Sequence, residues 1–514
     1  MAIAVIGALC GFALQVSGAR GYFDRAMRFY EQRQWDEAET NAAKALAADP
    51  QMGDAETLLG LIATARSQFA EAEKHFAHAV DLQPQNYQAH GYLGSTYLQQ
   101  KRLTEAASSF RKVLELNPGN PTANYNLGVI ALEQDAPAQA LSHFERVTRK
   151  NQSDVPALVG TLESELLLHQ SQNARQTAGR LEALLDDRDP RLFQIATLLA
   201  QHGEAATAVP LMERSRRVFP DSYDVNYNLA ITYSQAAQFD LAADTLRPFT
   251  GPQGKAEAFD LLGTVEEKRG HASDAERAFQ EAAQRSTSED YRFDYGNFLV
   301  QHGKLEAAVA ALRAAVSDLP NSWKLHIGLG SALYLIGDYE SAAEALLDAV
   351  RLKPDNASAF FLLGEAYDAA QLHQSAIERA FASYLKTTPR DAWAYYHYAA
   401  ILYAHAEKTG RDDFRLAAAN LKEALRIEPS FAEAYFELGL IALAQGKMDQ
   451  SVEALEKAVS LDPRLAAAHY RLGLVYQRLG NAARSKEEFD RFRSLKSSAP
   501  YRGRVLESLA SMSR

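Results

Sequence analysis

A chain of 514 residues with 47% hydrophobic content, 17 prolines and 29 glycines is too apolar for disorder and too poor in turn residues for a many-stranded fold. Its formal charge of -11 argues against a general nucleic-acid binder, because phosphate neutralisation needs a basic face. One cysteine, Cys10, leaves no intrachain disulfide and no multi-cysteine metal site.

In chain order, the first feature is the run from Ala2 to Leu14, apolar or small throughout, followed by Ser17-Gly18-Ala19 with the small residues a signal peptidase needs. The run is shorter than the roughly 18 to 20 residues that cross a bilayer as a helix. Residues 1–19 are therefore expected to be a cleaved export segment, which gives a bacterial periplasmic or envelope location and no transmembrane span in the mature chain. No Lys or Arg follows Met1, so the alternative is an extra apolar helix on a cytoplasmic protein.

Prolines then fall at 50, 84, 118, 220, 320, 354, 429 and 463, and several gaps are 34 residues or a multiple of it. Proline disfavours helix in the residue before it and cannot donate an interior helical bond, so each marks a helix end at a fixed phase. Within 87–120 the order is Leu93-Gly94, Tyr97, Ala106, Phe110, Val113 and Pro118. Spacings of three and four place these residues on one face of each of two helices. Gly94 and Ala106 are expected where two backbones approach, with Tyr97 and Phe110 filling the space between layers.

The skeleton recurs as Leu59-Gly60, Ala72, Phe76, Pro84, as Leu127-Gly128, Ala140, Phe144, as Leu329-Gly330, Ala342, Leu346, Pro354, and as Leu472-Gly473, Tyr476, Phe489. Copies start at 19, 53, 87, 121, 155, 189, 223, 256, 289, 323, 357, 392, 432 and 466, which fills residues 20–499. Three copies depart. That from 155 has Leu162 where glycine is expected and ends in Asp186-Asp187-Arg188-Asp189, which puts its packing in doubt. That from 357 carries an extra residue, expected near Phe381. That from 392 is too long, with the surplus expected as a loop over 405–413. Residues 500–514 place Val505, Leu506, Leu509 and Met512 at helical spacing and read as a helix capping the last apolar face.

This skeleton resembles the tetratricopeptide repeat family, over about fourteen tandem copies. The resemblance implies an all-α fold, a right-handed α-solenoid of antiparallel helix pairs, in which the first helix of each pair lines a concave groove that holds partner proteins or peptides. Carried over to this chain, the groove residues are Tyr125, Tyr227, Phe293, Phe361, Phe436 and Tyr470, two residues before the Leu-Gly or equivalent pair, with Asn126, Asn228 and Asn297 as amides able to bond a partner's backbone. Aromatic residues at helical spacing also build cores, and that reading stays open. The family's clamp for a C-terminal carboxylate uses clustered Lys, Arg and Asn; the corresponding positions here are mostly Phe, Tyr, Leu, Ser or acidic, so it is not expected.

Catalytic and cofactor motifs are weak. Gly328-Leu329-Gly330 has Leu333 in place of the third glycine of a dinucleotide fingerprint, and Gly254-Lys255 is followed by Ala256 where a phosphate loop needs Ser or Thr. His75 and His78 could share a metal, but the repeat is not expected to put a carboxylate beside them, and the thirteen histidines read as scattered in phase. Asp412-Asp413 reads as a solvated loop pair, and the basic residues from Arg471 to Arg504 read as solvated helix faces. No cofactor, metal or catalytic residue is expected. The function read from the chain is a non-enzymatic protein-binding scaffold or adaptor. The alternative is a structural component of envelope machinery, such as a support for polysaccharide export or outer-membrane assembly.

Overall fold

The computed structural model describes residues 18–409 and 413–495. The expected export segment lies outside them except for Gly18 and Ala19, which open the first helix, and so does the expected cap at 500–514. Regular structure among the described residues is entirely helical. Helices alternate between the first member of a pair, here A, and the second, B, and nearly all pack on the next in sequence within their unit.

The chain forms two compact units, divided after Gln238. In order, the first holds the pairs 18–31 with Trp35–Ala48, Gly53–Ala65 with Phe69–Leu82, Tyr87–Gln99 with Leu103–Leu116, Pro121–Glu133 with Pro137–Lys150, Val155–Leu167 with Ser171–Leu184, and Arg191–Gln201 with Ala205–Val218, and closes on the A helix Tyr223–Gln235. The second opens on the B helix Phe239–Leu246. Its pairs are Ala256–Lys268 with Ala272–Arg285, Glu289–Gln301 with Leu305–Asp318, Trp323–Ile336 with Tyr339–Leu352, Ala357–Ala366 with Gln374–Thr387, Ala392–Thr409 with Asp413–Ile427, Ala432–Ala444 with Met448–Leu461, and Ala466–Arg478 with Ala482–Leu495. The chain is thus the all-α helix-pair array expected, with fourteen A and fourteen B helices among the described residues.

Two local devices repeat. Apart from the turn after Ala366, the fully described A-to-B turns reverse through a left-handed residue, for example Lys101 at φ 59° or Gly337 at φ 87°, and the next N–H reaches back five residues, as from Arg102 to the Tyr97 carbonyl at 2.9 Å. That bond caps carbonyls the helix leaves unpaired. Many B-to-A turns end on a side-chain cap: Asn86, Asn120, Asp154, Ser222, Ser322 and Asn356 each accept from N–H groups of the next helix.

Packing inside a pair follows a volume rule. A Cβ on Gly128 would lie 2.7 Å from the Phe144 ring, one on Gly60 2.6 Å from Phe76, and one on Gly330 2.6 Å from Leu346. The A-helix glycine therefore makes room for a bulky side chain of its own B helix rather than for a second backbone, which corrects the expectation for Gly94; there the neighbour is the Phe110 ring at 3.0 Å. The copy from 155 inverts the rule: Leu162 is fully buried and Ala178 stands where most other copies carry Phe or Leu. Its two helices pack on each other, and Gly160 opens space for Phe144 from the preceding copy. Its B helix ends without the usual proline, but Arg214 of the next copy donates to the Glu182 and Leu185 carbonyls at 2.8 and 2.7 Å.

Two surplus segments differ from expectation. The extra residue of the copy from 357 is absorbed before the B helix: its A helix stops at Ala366 and a 3-10 turn over Gln371–His373 follows, while Phe381 sits buried in a regular helix. Glu340 of the preceding copy holds that turn, accepting from the Leu372 N–H and His373 Nδ1 at 3.0 and 2.9 Å. In the copy from 392 most of the surplus lengthens the A helix, which runs from Ala392 to Thr409, and does not form a loop. Asp413 starts a helix, and Asp412 lies outside the described residues. No helix among the described residues is long and apolar enough to cross a membrane.

Candidate functional site

The fifth residue of an A helix lies between the buried stripe and the solvent face, because the stripe already uses the third and seventh (Ala123 and Leu127 in the helix from Pro121). The structure places the expected groove residues there, one per copy and not in one pocket. Tyr125 is half-buried with its ring edge on Phe144, centroids 5.8 Å apart. Tyr227 stacks on Tyr223 at 5.6 Å, and Phe361 meets Trp393 edge-on at 5.6 Å. Phe436 is half-buried against the cluster of Leu455, Leu472, Val475 and Tyr476. Tyr470 is 39% exposed beside Phe489 and Phe492.

Phe293 is the exception. It is fully buried, packed with Leu312 and Leu329, and the ammonium of Lys324 lies 4.8 Å above its ring. For this ring the core reading holds, because the next copy supplies a long side chain that covers it.

The amides are partly engaged within their own helices. Asn126 Nδ2 donates to the Thr122 carbonyl at 2.9 Å and Asn228 Nδ2 to that of Asp224 at 2.8 Å, and Asn297 Oδ1 accepts from Gln301 at 3.5 Å. Each Asn Nδ2 donor retains a second N–H after that bond. Sequence reasoning missed Trp393 and Tyr396, the second and fifth residues of the long A helix, both half-buried. The signal was present in the register, but Tyr398-Ala399 hides the Leu-Gly landmark from which the fifth position was counted.

Three of the thirteen histidines share one phase. His90, His326 and His469 are each the fourth residue of an A helix, and each Nε2 donates to a proline carbonyl six residues back, at 3.0 to 3.1 Å. Asn226 makes the same bond to the Pro220 carbonyl at 2.8 Å. The fourth residue also reaches the B helix of its own pair. His469 Nδ1 lies 2.6 Å from Glu488, and the Asn124 amide oxygen 3.1 Å from His143. Glu56 lies 2.7 and 2.8 Å from His75 and His78, so a carboxylate does stand beside that pair, as its structural anchor. These bonds tie each A helix to the turn before it and to its own B helix through otherwise costly buried polar groups.

Two charged clusters remain. Glu266, His271 and Asp274 bring potential ligand atoms within 4.8 Å of one another, but Arg269 places its guanidinium 2.8 to 2.9 Å from both Glu266 oxygens and already supplies positive charge there. On the A helices of the second unit, burial pushes the Asp260 carboxyl up to about 7, and the neighbouring Asp294 and Asp290 push the same way.

Comparison with known proteins agrees with this architecture. One tetratricopeptide repeat model matches residues 23–86, 59–121, 261–323, 296–356 and 327–392, and others match 97–163, 441–480 and 466–496. No curated protein matches the sequence. Among solved structures, PilF of Pseudomonas aeruginosa is 19% identical over 44% of this chain and 98% of its own, with a TM-score of 0.35. PilW, described as a widely conserved type IV pilus biogenesis factor, is 20% identical over 40% of this chain and 96% of its own, with a TM-score of 0.34. The Cut9–Hcn1 assembly of the APC/C is 13% identical over 96% of each chain, with a TM-score of 0.35. A helix pair near 34 residues long, in which a small A-helix residue admits a bulky B-helix one, is the unit those repeat models match in three blocks between residues 23 and 496, and the chain belongs to the tetratricopeptide repeat family.

Proposed function

We propose that this protein is a non-enzymatic scaffold or adaptor that binds partner proteins on the faces of its A helices. A helix pair cannot bury its own apolar stripe and must stack on its neighbours, which leaves one row of A-helix faces open to another chain. The observation that carries the reading is the set of incompletely buried aromatic rings at one position of six A helices, the last four of them consecutive: Tyr125, Tyr227, Phe361, Tyr396, Phe436 and Tyr470. Rings offer large contact area at small entropic cost, which suits capture of a peptide or helix. Affinity capture from the source cells tests it, comparing the wild type with a variant carrying Tyr125→Ala, Tyr227→Ala, Phe361→Ala and Tyr470→Ala. Loss of the captured proteins from a variant with unchanged helical circular dichroism is expected. An unchanged set of captured proteins overturns the reading.

A location in the bacterial envelope, where such a scaffold would serve as a structural part of export or assembly machinery, is supported by the apolar run from Ala2 to Leu14 and the small residues at 17–19. N-terminal sequencing of the protein recovered from cell fractions checks this; an intact Met1 overturns the cleavage.

A further inference from the structure

In several pairs the fourth residue of the A helix bonds the residue nineteen later on its own B helix: Glu56 meets His75, Asn124 meets His143 and His469 meets Glu488. A long B-helix side chain thus reaches the A helix. The pair Ala432–Ala444 with Met448–Leu461 lacks this bridge, because its fourth residue is Tyr435 and the residue nineteen later is Ala454, which ends at a methyl group. Leu438, the leucine of that copy's Leu-Gly landmark, is only half-buried, whereas Leu59, Leu127, Leu329 and Leu472 are 1 to 7% exposed. An open cavity of about 740 Å³ lies there, bordered by Tyr435, Leu438 and Ala442 of the A helix, by Ala454 of its B helix and by Lys422 of the B helix before it. Its volume is that of a small-molecule site.

The lining is amphipathic and carries an excess of positive charge. Leu438, Ala442 and Ala454 supply its apolar part. Lys422 stands on the wall formed by the helix Asp413–Ile427, and Lys457 on the wall formed by Met448–Leu461. Among the described residues neither ammonium has an ion-pair or hydrogen-bond partner. Of the two acids in the lining, Glu456 is already held by Arg484 at 2.9 Å, which leaves Glu453 alone to oppose the two lysines.

We propose that this cavity binds a small amphipathic acid, with its apolar body on Leu438, Ala442 and Ala454 and its carboxylate between the walls that carry Lys422 and Lys457. The site lies between two B helices and is separate from the A-helix rings proposed to hold partner proteins. Removing the apolar body from water drives entry, and the free ammonium groups select the charge. A cationic amphiphile would set its charge beside both lysines and is disfavoured. The occupant touches B helices of two successive copies, so its binding opposes their separation and raises the melting temperature.

The test uses the full-length protein and decanoate, kept below its micelle-forming concentration, in isothermal titration calorimetry. Saturable binding at a single site is expected. Lys422→Gln with Lys457→Gln changes two exposed side chains and is expected to weaken it about tenfold. Ala454→Trp fills the cavity and is expected to abolish binding. Lys44→Gln with Lys386→Gln removes two charges from other exposed B-helix positions and is expected to leave affinity within about twofold of wild type. Absence of decanoate binding to the wild type overturns the proposal. So does wild-type affinity in either cavity variant, which would put the acid elsewhere, for example beside Phe489 in the last copy. If Ala454→Trp fails to fold by circular dichroism, the lysine pair decides alone.

Discussion

Gly128 and Phe144 show how single residues fix the array. The ring occupies the space a Cβ would need, so Gly128→Ala must push Phe144 out of its rotamer or part the two helices. A loss of about 1 to 3 kcal/mol in urea unfolding is expected. Leu162→Ala empties a fully buried site that Ala178 cannot refill and is expected to cost about 2 to 5 kcal/mol in the same assay. The Leu-Gly landmarks were legible in the sequence because glycine at that phase has one evident purpose. The inversion at Leu162 and Ala178 was not, because what a pair must keep is its summed volume, and a motif read residue by residue does not see a sum. The burial of Phe293 escaped for a related reason, since it depends on Lys324 in another copy.

Asp260 gives a prediction in pH. Its carboxyl, near 3.8 when unperturbed, is raised to about 7 in the fold, first by burial and then by Asp294. Between those values the unfolded chain is ionised and the folded chain holds the proton, so stability falls as pH rises from about 4 to about 7 and then levels off. Asp260→Asn should flatten this slope and stabilise the protein above pH 7, by at most about 4 kcal/mol. Thermal melts of both proteins at pH 5 and pH 8 check it; equal slopes in pH would exclude Asp260 as the source.

At the scale of the element, the A-to-B turns are the feature most open to improvement. Lys101 holds a φ of 59°, a conformation that suits glycine and strains residues with a Cβ. Lys101→Gly is expected to gain about 0.5 to 1 kcal/mol, read as a rise in the urea midpoint with unchanged slope. Helix phase and pair spacing were legible because prolines and apolar stripes repeat in step. The fate of the surplus residues was not. The stretch from Ala406 contains Lys408, Thr409 and Gly410, a composition that suits a loop, yet continuing a helix already nucleated by its packed first turns costs little. The Arg214 clamp was equally hidden: an arginine on an exposed stripe does not announce that it will cap the helix of the preceding copy.

Across each unit helices lean mainly on near neighbours in sequence, and the last copy carries apolar surface that meets water. In the last copy Tyr470 and Leu479 are exposed, and Tyr470, Phe489 and Phe492 border an open cavity of about 550 Å³. The segment 500–514, with Val505, Leu506, Leu509 and Met512, is proposed to cover this end. Its deletion should lower solubility and raise binding of a hydrophobic dye; unchanged behaviour in both would rule out the cap.

The interruption between Ala366 and Gln374 bears on how the second unit yields. Five other A-to-B turns of that unit are closed by a tight left-handed residue at Gly270, Gly303, Gly337, Gly446 or Gly480, whereas this one is a longer excursion held to the preceding copy through the Glu340 carboxylate, with Leu372 83% exposed at its tip. Nearest-neighbour packing confines any opening to the rungs beside it, so the array can breathe at this joint while its other rungs stay shut. A tug on the unit, or a protease sampling it, would meet its first give there.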